Sequence, residues 1–420
     1  MANLTDSVTS LGFLPEECCK QLPPAFLYLQ PLLDNLPSTD GEKFRQIADS
    51  LPAAASLNET ILKLTIPEKR FMYCVLSFIM QKYMWCCGTS KVLDVIPKEI
   101  GAPLLEISKD LGIIPCLTYA STVLWNWSYR DEAKPFAIEN LKLNYVLDDS
   151  EAYEWFFLIH TTIEGTLGTA VNEILSLKRN IETATKSEIS SVLEKVAKLI
   201  KMATDILKRM PEKCSPQDFH EFRYLLGGSQ DPKYFPHGGV RIKEMDDVLS
   251  FSGASGGQSA LIQCLDLFFS ITHKDGQKKY TEEMRYYMPR CQRLILDEFD
   301  HGVTLKETIM QFEDEKLADL FELALKDMLS FRSAHVQQVY KYVAKYTRPQ
   351  PETPTLTVQD PNVDGEKRED KEIFGEKGTG GTDYKKFLTE MSEDTNRSRL
   401  SIRDFKKELK DDPNAKTESD

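Results

Sequence analysis

Histidine is scarce in this chain. The six among 420 residues are His160, His220, His237, His273, His301 and His335, and none forms an HxxxH or HxxE spacing with a third ligand that would suit zinc. The nine cysteines include the adjacent pairs Cys18–Cys19 and Cys86–Cys87 but no CxxC, which excludes a zinc ribbon and leaves them reading as reduced thiols. Basic charge is also short: 52 Lys and Arg against 65 Asp and Glu give a net charge of −13, which argues against nucleic acid or an anionic membrane as a partner. No apolar run reaches membrane-spanning length, because the most apolar segment, "FMYCVLSFIMQKYMW", is interrupted by Gln81 and Lys82. The first twenty residues, "MANLTDSVTSLGFLPEECCK", lack a basic segment followed by an apolar stretch, so no secretory signal is expected and the protein is expected in the cytoplasm.

Segments of strict apolar alternation are missing too, and helical periodicity stands in their place. Residues 1–145 alternate helical runs with proline-bearing turns such as "LPPAFLYLQPLL" and read as a small, mostly helical N-terminal cap domain. Residues 146–347 carry longer helical segments around one Gly- and Pro-rich stretch, "LLGGSQDPKYFPHGGVRI", which must be loop, and read as a large helical domain. A polar linker is expected over 348–376, then a "GTGGT" loop with a short helix over 377–392, then a disordered charged tail over 393–420. The fold class is all-α, in two domains.

Two helical segments place polar groups where apolar ones belong. In "LKDMLSFRSAHVQQVYKYV", Arg332 and His335 fall within the stripe formed by Phe321, Leu325, Met328, Val339 and Val343. In "WFFLIHTTIEGTLGTAV", His160 and Glu164 share a face with Phe156, Ile163, Leu167 and Val171. Two readings remain open on these residues alone: a hydrogen-bonded structural cluster inside the core, or two imidazoles facing a heme. His273 and His301 sit among polar residues and read as solvated. The stretch Ser252–Gly257, "SGASGG", opens a helix and presents backbone N–H groups there, but it lacks the lysine of a phosphate loop.

The segments "FRSAHVQQVYKYV", "SGASGGQSALIQCLDLFF", "EEMRYYMPRCQR" and "EKGTGGTDYKKFL", in this order, resemble the indoleamine 2,3-dioxygenase family. "LGIIPCLTYASTVLWNW" and "VIPKEIGAPLLEISKDLGI" extend the resemblance into the first domain, so that it covers nearly everything up to about residue 390.

The resemblance implies a two-domain heme dioxygenase fold with one heme b between the domains, opening the indole ring of L-tryptophan with O2 to give N-formylkynurenine. It implies His335 as the iron ligand and Arg332 as the cation beside a heme carboxylate. It places Tyr119, Phe156 and the candidate catalytic His160 in the pocket above the iron, and Ser255 and Gly256 in the loop beside heme and substrate. Thr379 corresponds to a loop that covers the bound amino acid, and Arg223 to the arginine that pairs with the substrate carboxylate. Family members usually carry two consecutive aromatics shortly before that arginine. Here an ungapped alignment puts Asp218 and Phe219 in that place. The implied partners are L-tryptophan or a related indoleamine, O2 and a cellular reductant, acting on a monomer. An oxygen-binding, myoglobin-like protein of the same fold is the alternative, and an interaction protein acting through its tail is a third possibility.

Overall fold

The computed structural model describes residues 8–52, 57–344 and 384–399. Helices carry the fold, as the periodicity predicts, and the longer ones begin with side chains that satisfy the free N–H groups of the first turn. Thr65 opens Ile66–Trp85 and Thr185 opens Lys186–Lys208, each in a capping box with the glutamate three residues on. Ser150 accepts from the Tyr153 N–H at the start of Glu151–Gly168, and Asp314 accepts from the N–H groups of Lys316 and Leu317 at the start of Glu315–Val339. The segment expected to run as one helix to Val343 leaves α-helical geometry after Val339 and ends in a π-helical turn, Tyr340–Ala344.

The strands are small. Val95–Ile96 pairs in parallel with Val240–Ile242, which pairs antiparallel with Val248–Leu249, and Trp127–Tyr129 pairs antiparallel with Leu141–Leu143. Two or three residues are too few to show an alternating pattern, which is why the sequence does not announce them. The fold is all-α as expected, with these short pairings as trim.

Ile66–Trp85 runs through the core, and every residue from Phe71 to Trp85 is buried. Gln81 and Lys82, which interrupt its apolar run, both have partners. Gln81 Nε2 donates to the carbonyls of Leu225 and Gly227 at 2.8 and 2.9 Å, and Lys82 Nζ donates to the Leu147 carbonyl at 2.8 Å. A buried amide or ammonium without such acceptors would cost several kcal/mol, more than the burial of any one apolar neighbour returns. Among the described residues no helix is long and apolar enough to cross a membrane.

The helix Glu315–Val339 packs against both Lys186–Lys208 and the helix Tyr384–Arg397. The expected linker 348–376 and Thr379 lie outside the described residues. Beyond them the chain departs from expectation: the helix continues to Arg397, past residue 392 where the charged tail was expected to start, and Asp394 and Thr395 are fully buried. His273 is corrected as well. Its side chain is only 10% exposed, because carboxylates of Asp266 and Asp394 flank it on two sides. Polar neighbours in sequence signalled a polar environment, but that environment is internal.

Candidate functional site

The helix Glu151–Gly168 presents Phe156, His160, Ile163 and Glu164 to one cavity of about 310 Å³, as their three- and four-residue spacing requires. Glu315–Val339 presents Met328, Arg332, His335 and Val339 to the same cavity from another side. Tyr119, Thr122 and Val123 contribute from the first 145 residues, and Leu388 and Met391 from the C-terminal helix. Every candidate site residue among those described lines this cavity: Tyr119, Phe156, His160, Phe219, Arg223, Ser255, Gly256, Arg332 and His335. Thr379 lies outside the described residues.

The two imidazoles are neutral at neutral pH. Burial pushes His335 down to about 4, helped by the nearby ring of His160 and by the Arg332 guanidinium. Burial likewise pushes His160 down. His160 Nδ1 lies 2.7 Å from the Phe156 carbonyl, which can only accept, so Nδ1 carries the proton and Nε2 keeps its lone pair. The His335 ring hydrogen-bonds nothing among the described residues and is in the neutral form that ligates a metal.

Around His160 the wall is aromatic. The Phe156 ring centroid lies 4.7 Å from that of His160 and 5.0 Å from that of Phe219, while Tyr119 stands edge-on to His160 at 6.3 Å. Phe219 comes from the short helix Pro216–Phe222, and the next residue, Arg223, is 2% exposed and lines the cavity. The segment that departs from the family pattern thus still delivers an aromatic and a guanidinium to the same space. Ser255 caps the 3-10 turn Gly256–Gln258 by accepting from the Gly257 N–H. A Cβ on Gly256 would meet nothing within 4 Å, whereas one on Gly257 would press on the Tyr280 ring.

Arg332 is ion-paired with the buried Asp266, and its Nε has no hydrogen-bond partner among the described residues. Burial raises the Asp266 carboxyl, but Arg332 and His273 outweigh it and hold the group below the usual carboxylate range. A heme would bring two carboxylates into this cavity. An orphaned guanidinium N–H beside a neutral, unbonded imidazole fits that group: His335 would hold the iron and Arg332 a propionate.

Sequence reasoning did not assign three residues of the wall. Glu164 is 2% exposed and accepts from Tyr119 Oη at 3.0 Å and from Ser259 Oγ at 2.5 Å. Burial raises its carboxyl to about 7, the two hydroxyl donors only partly offsetting that. Ser259 also caps the helix Ala260–Phe268. Asp266 had a visible signal, one carboxylate within the apolar run "ALIQCLDLFF", and Glu164 had the same signal in its own stripe.

A profile of the indoleamine 2,3-dioxygenase family matches residues 6–398. The chain is 27% identical over 397 residues to indoleamine 2,3-dioxygenase 1 of Rattus norvegicus, covering 93% of this chain and 94% of the relative. It is 28% identical over 398 residues to the indoleamine 2,3-dioxygenase of Saccharomyces cerevisiae, covering 88% and 87%. It is also 24% identical over 389 residues to a protein named myoglobin from Haliotis diversicolor, covering 92% and 95%. The match runs almost from end to end and agrees with a cavity whose donors suit a heme, so this chain belongs to the indoleamine 2,3-dioxygenase family of heme b-dependent enzymes.

Proposed function

We propose that this enzyme opens the indole ring of L-tryptophan with both atoms of O2 to give N-formylkynurenine, the first step of tryptophan breakdown by this route. One observation carries the reading: the aromatic faces of Phe156 and Phe219 and the guanidinium of Arg223 share one cavity with His335. An O2 carrier needs His335 and a dry pocket. It has no use for a buried arginine placed beside an aromatic slot.

When bound, heme b supplies the activation of O2. The chain supplies orientation and dryness. Arg223 takes the substrate carboxylate in a charge-assisted pair, and Phe156, Phe219 and Tyr119 hold the indole plane. His160 Nε2, with its lone pair free, accepts from the indole N–H. The apolar wall around Phe156, Ile163, Val339 and Val343 keeps bulk water from the reacting carbons. Ser255 and Gly256 leave room at the mouth, where a Cβ at position 256 would still find open space. In this reading the enzyme works as a cytoplasmic monomer and draws on a cellular reductant.

A second reading, reversible oxygen binding with little turnover, is favoured by the similarity to the abalone myoglobin. The two separate in one experiment. Protein reconstituted with heme, reduced, and given L-tryptophan under air should form N-formylkynurenine. Arg223→Ala should raise KM by about 100-fold, the loss of a desolvated charge-assisted pair of about 3 kcal/mol. A stable oxygenated spectrum with no product would sink the dioxygenase reading and leave the carrier.

A further inference from the structure

Behind the cavity wall runs a buried chain of charges that the proposed reaction does not use. Arg332 pairs with Asp266 Oδ1. Asp266 Oδ2 faces His273 Nε2 at 3.1 Å, and His273 Nδ1 faces Asp394 Oδ2 at 3.2 Å. The three acidic and imidazole members come from different segments: Asp266 from the helix Ala260–Phe268, His273 from the loop after it, and Asp394 from the C-terminal helix. Both aspartates are nearly or fully buried, with side chains 6% and 0% exposed.

Both ring nitrogens of His273 therefore face carboxylate oxygens, which in their ionised form only accept. A neutral imidazole has one N–H and would set a lone pair against the second carboxylate, so only the imidazolium satisfies both. The other groups facing this cluster are few. The Lys274 backbone N–H donates to Asp394 Oδ2 at 3.2 Å, the Lys274 ammonium pairs with Glu393 at 3.5 Å, and the half-exposed Arg397 pairs with Asp394 Oδ1. Gln277 hydrogen-bonds Glu390 one turn back along the same helix. His273 is the one buried cation that Asp394 meets among the described residues.

We propose that protonated His273 is a positioning residue, a cationic clamp between Asp266 and Asp394 that fixes the C-terminal helix against the substrate cavity. Leu388 and Met391 of that helix line the cavity, so its seating sets the shape of the pocket, while Asp266 ties the same clamp to Arg332, one turn before His335. Removing the imidazole leaves a fully buried carboxylate with only the half-exposed Arg397 for a cation, and the helix shifts outward to hydrate it. The clamp's effect falls on substrate affinity. His335 and the chemistry at the iron stay as they are.

The kinetic arm of the test rests on the dioxygenase reading, and the exchange arm does not. In the heme-loaded full chain, His273→Gln should raise KM for L-tryptophan about fivefold with kcat within about twofold and an unchanged Soret band. Amide protection over 388–397 should fall about tenfold, while that of Glu315–Val339 stays at the wild-type level. Adding Asp394→Asn to His273→Gln should restore most of the protection and the KM, because it removes the stranded charge. Lost packing would show no such rescue. The clamp is overturned if His273→Gln leaves both protection and KM unchanged, or if the second substitution deepens the loss. Should His273→Gln fail to fold, Asp394→Asn alone decides: with the carboxylate arm of the clamp gone, protection over 388–397 should fall severalfold, and wild-type protection overturns the proposal. If wild type forms no product, the dioxygenase reading fails while the exchange result still decides the clamp.

Discussion

Glu164 shows how one side chain can make the stability of the whole chain depend on pH. Its carboxyl titrates at about 7 in the fold against an ordinary value of 4.5, so the folded state holds the proton more tightly than the unfolded one. Below about pH 4.5 both states are protonated and nothing is lost. As pH rises through about 7 the unfolded chain ionises at less cost, and the fold loses up to about 3 kcal/mol. Both hydroxyl donors use the same oxygen, Oε1, which glutamine also provides. Glu164→Gln should therefore fold, and its denaturation midpoint relative to wild type should improve between about pH 5 and about pH 8. An equal pH slope in both proteins would mean that Glu164 titrates alike in the folded and the unfolded chain. The polar residues of the two apolar stripes were legible because a charge or imidazole at a core position stands out from its period. Ser259 was not, since a serine before a helix reads as a cap, which it is, and only the fold reveals its second bond to Glu164.

At the scale of elements, the His160 helix depends on how closely the chain can approach its far end. Gly168 touches the turn at Leu11 and Gly12, and a Cβ on Gly168 would sit 2.2 Å from the Leu11 carbonyl oxygen. Gly12 itself has φ +72°, a conformation that side chains other than glycine rarely adopt. Gly168→Ala must move backbone rather than a flexible side chain. It should cost about 2 kcal/mol, read as a lower urea midpoint with an unchanged slope. The helices themselves were readable from their 3.6-residue period and their caps, as in the Thr185 and Glu188 pair. Two features were not. The short strands carry too few residues to alternate, and the last turns of the C-terminal helix carry mostly polar residues, whose burial depends on partners more than a hundred residues away.

For the whole molecule, the cavity is a place where folding and cofactor loading share one free energy. A group that binds only the folded chain stabilises it by about 2.7 kcal/mol at 100 times its Kd, and more at higher saturation. Heme loading should therefore raise Tm in calorimetry, and His335→Ala should abolish most of that gain while leaving the heme-free protein within about 1 kcal/mol of wild type. An equal Tm rise in the variant would mean that His335 does not hold the iron. A change in helix length and proline content near residue 145 made two domains the expectation, but the bonds that join residues on either side of that point were not legible. The helix Ile66–Trp85 has no exposed side from Phe71 onward, and Gln81 and Lys82 find their acceptors outside it at Leu147, Leu225 and Gly227. On a ribosome, that helix is finished some 140 residues before its last acceptor is made. For the whole of that interval the nascent chain carries a finished but unsatisfied apolar rod, so the order of synthesis sets a waiting time during which this segment depends on a chaperone or on its own transient collapse.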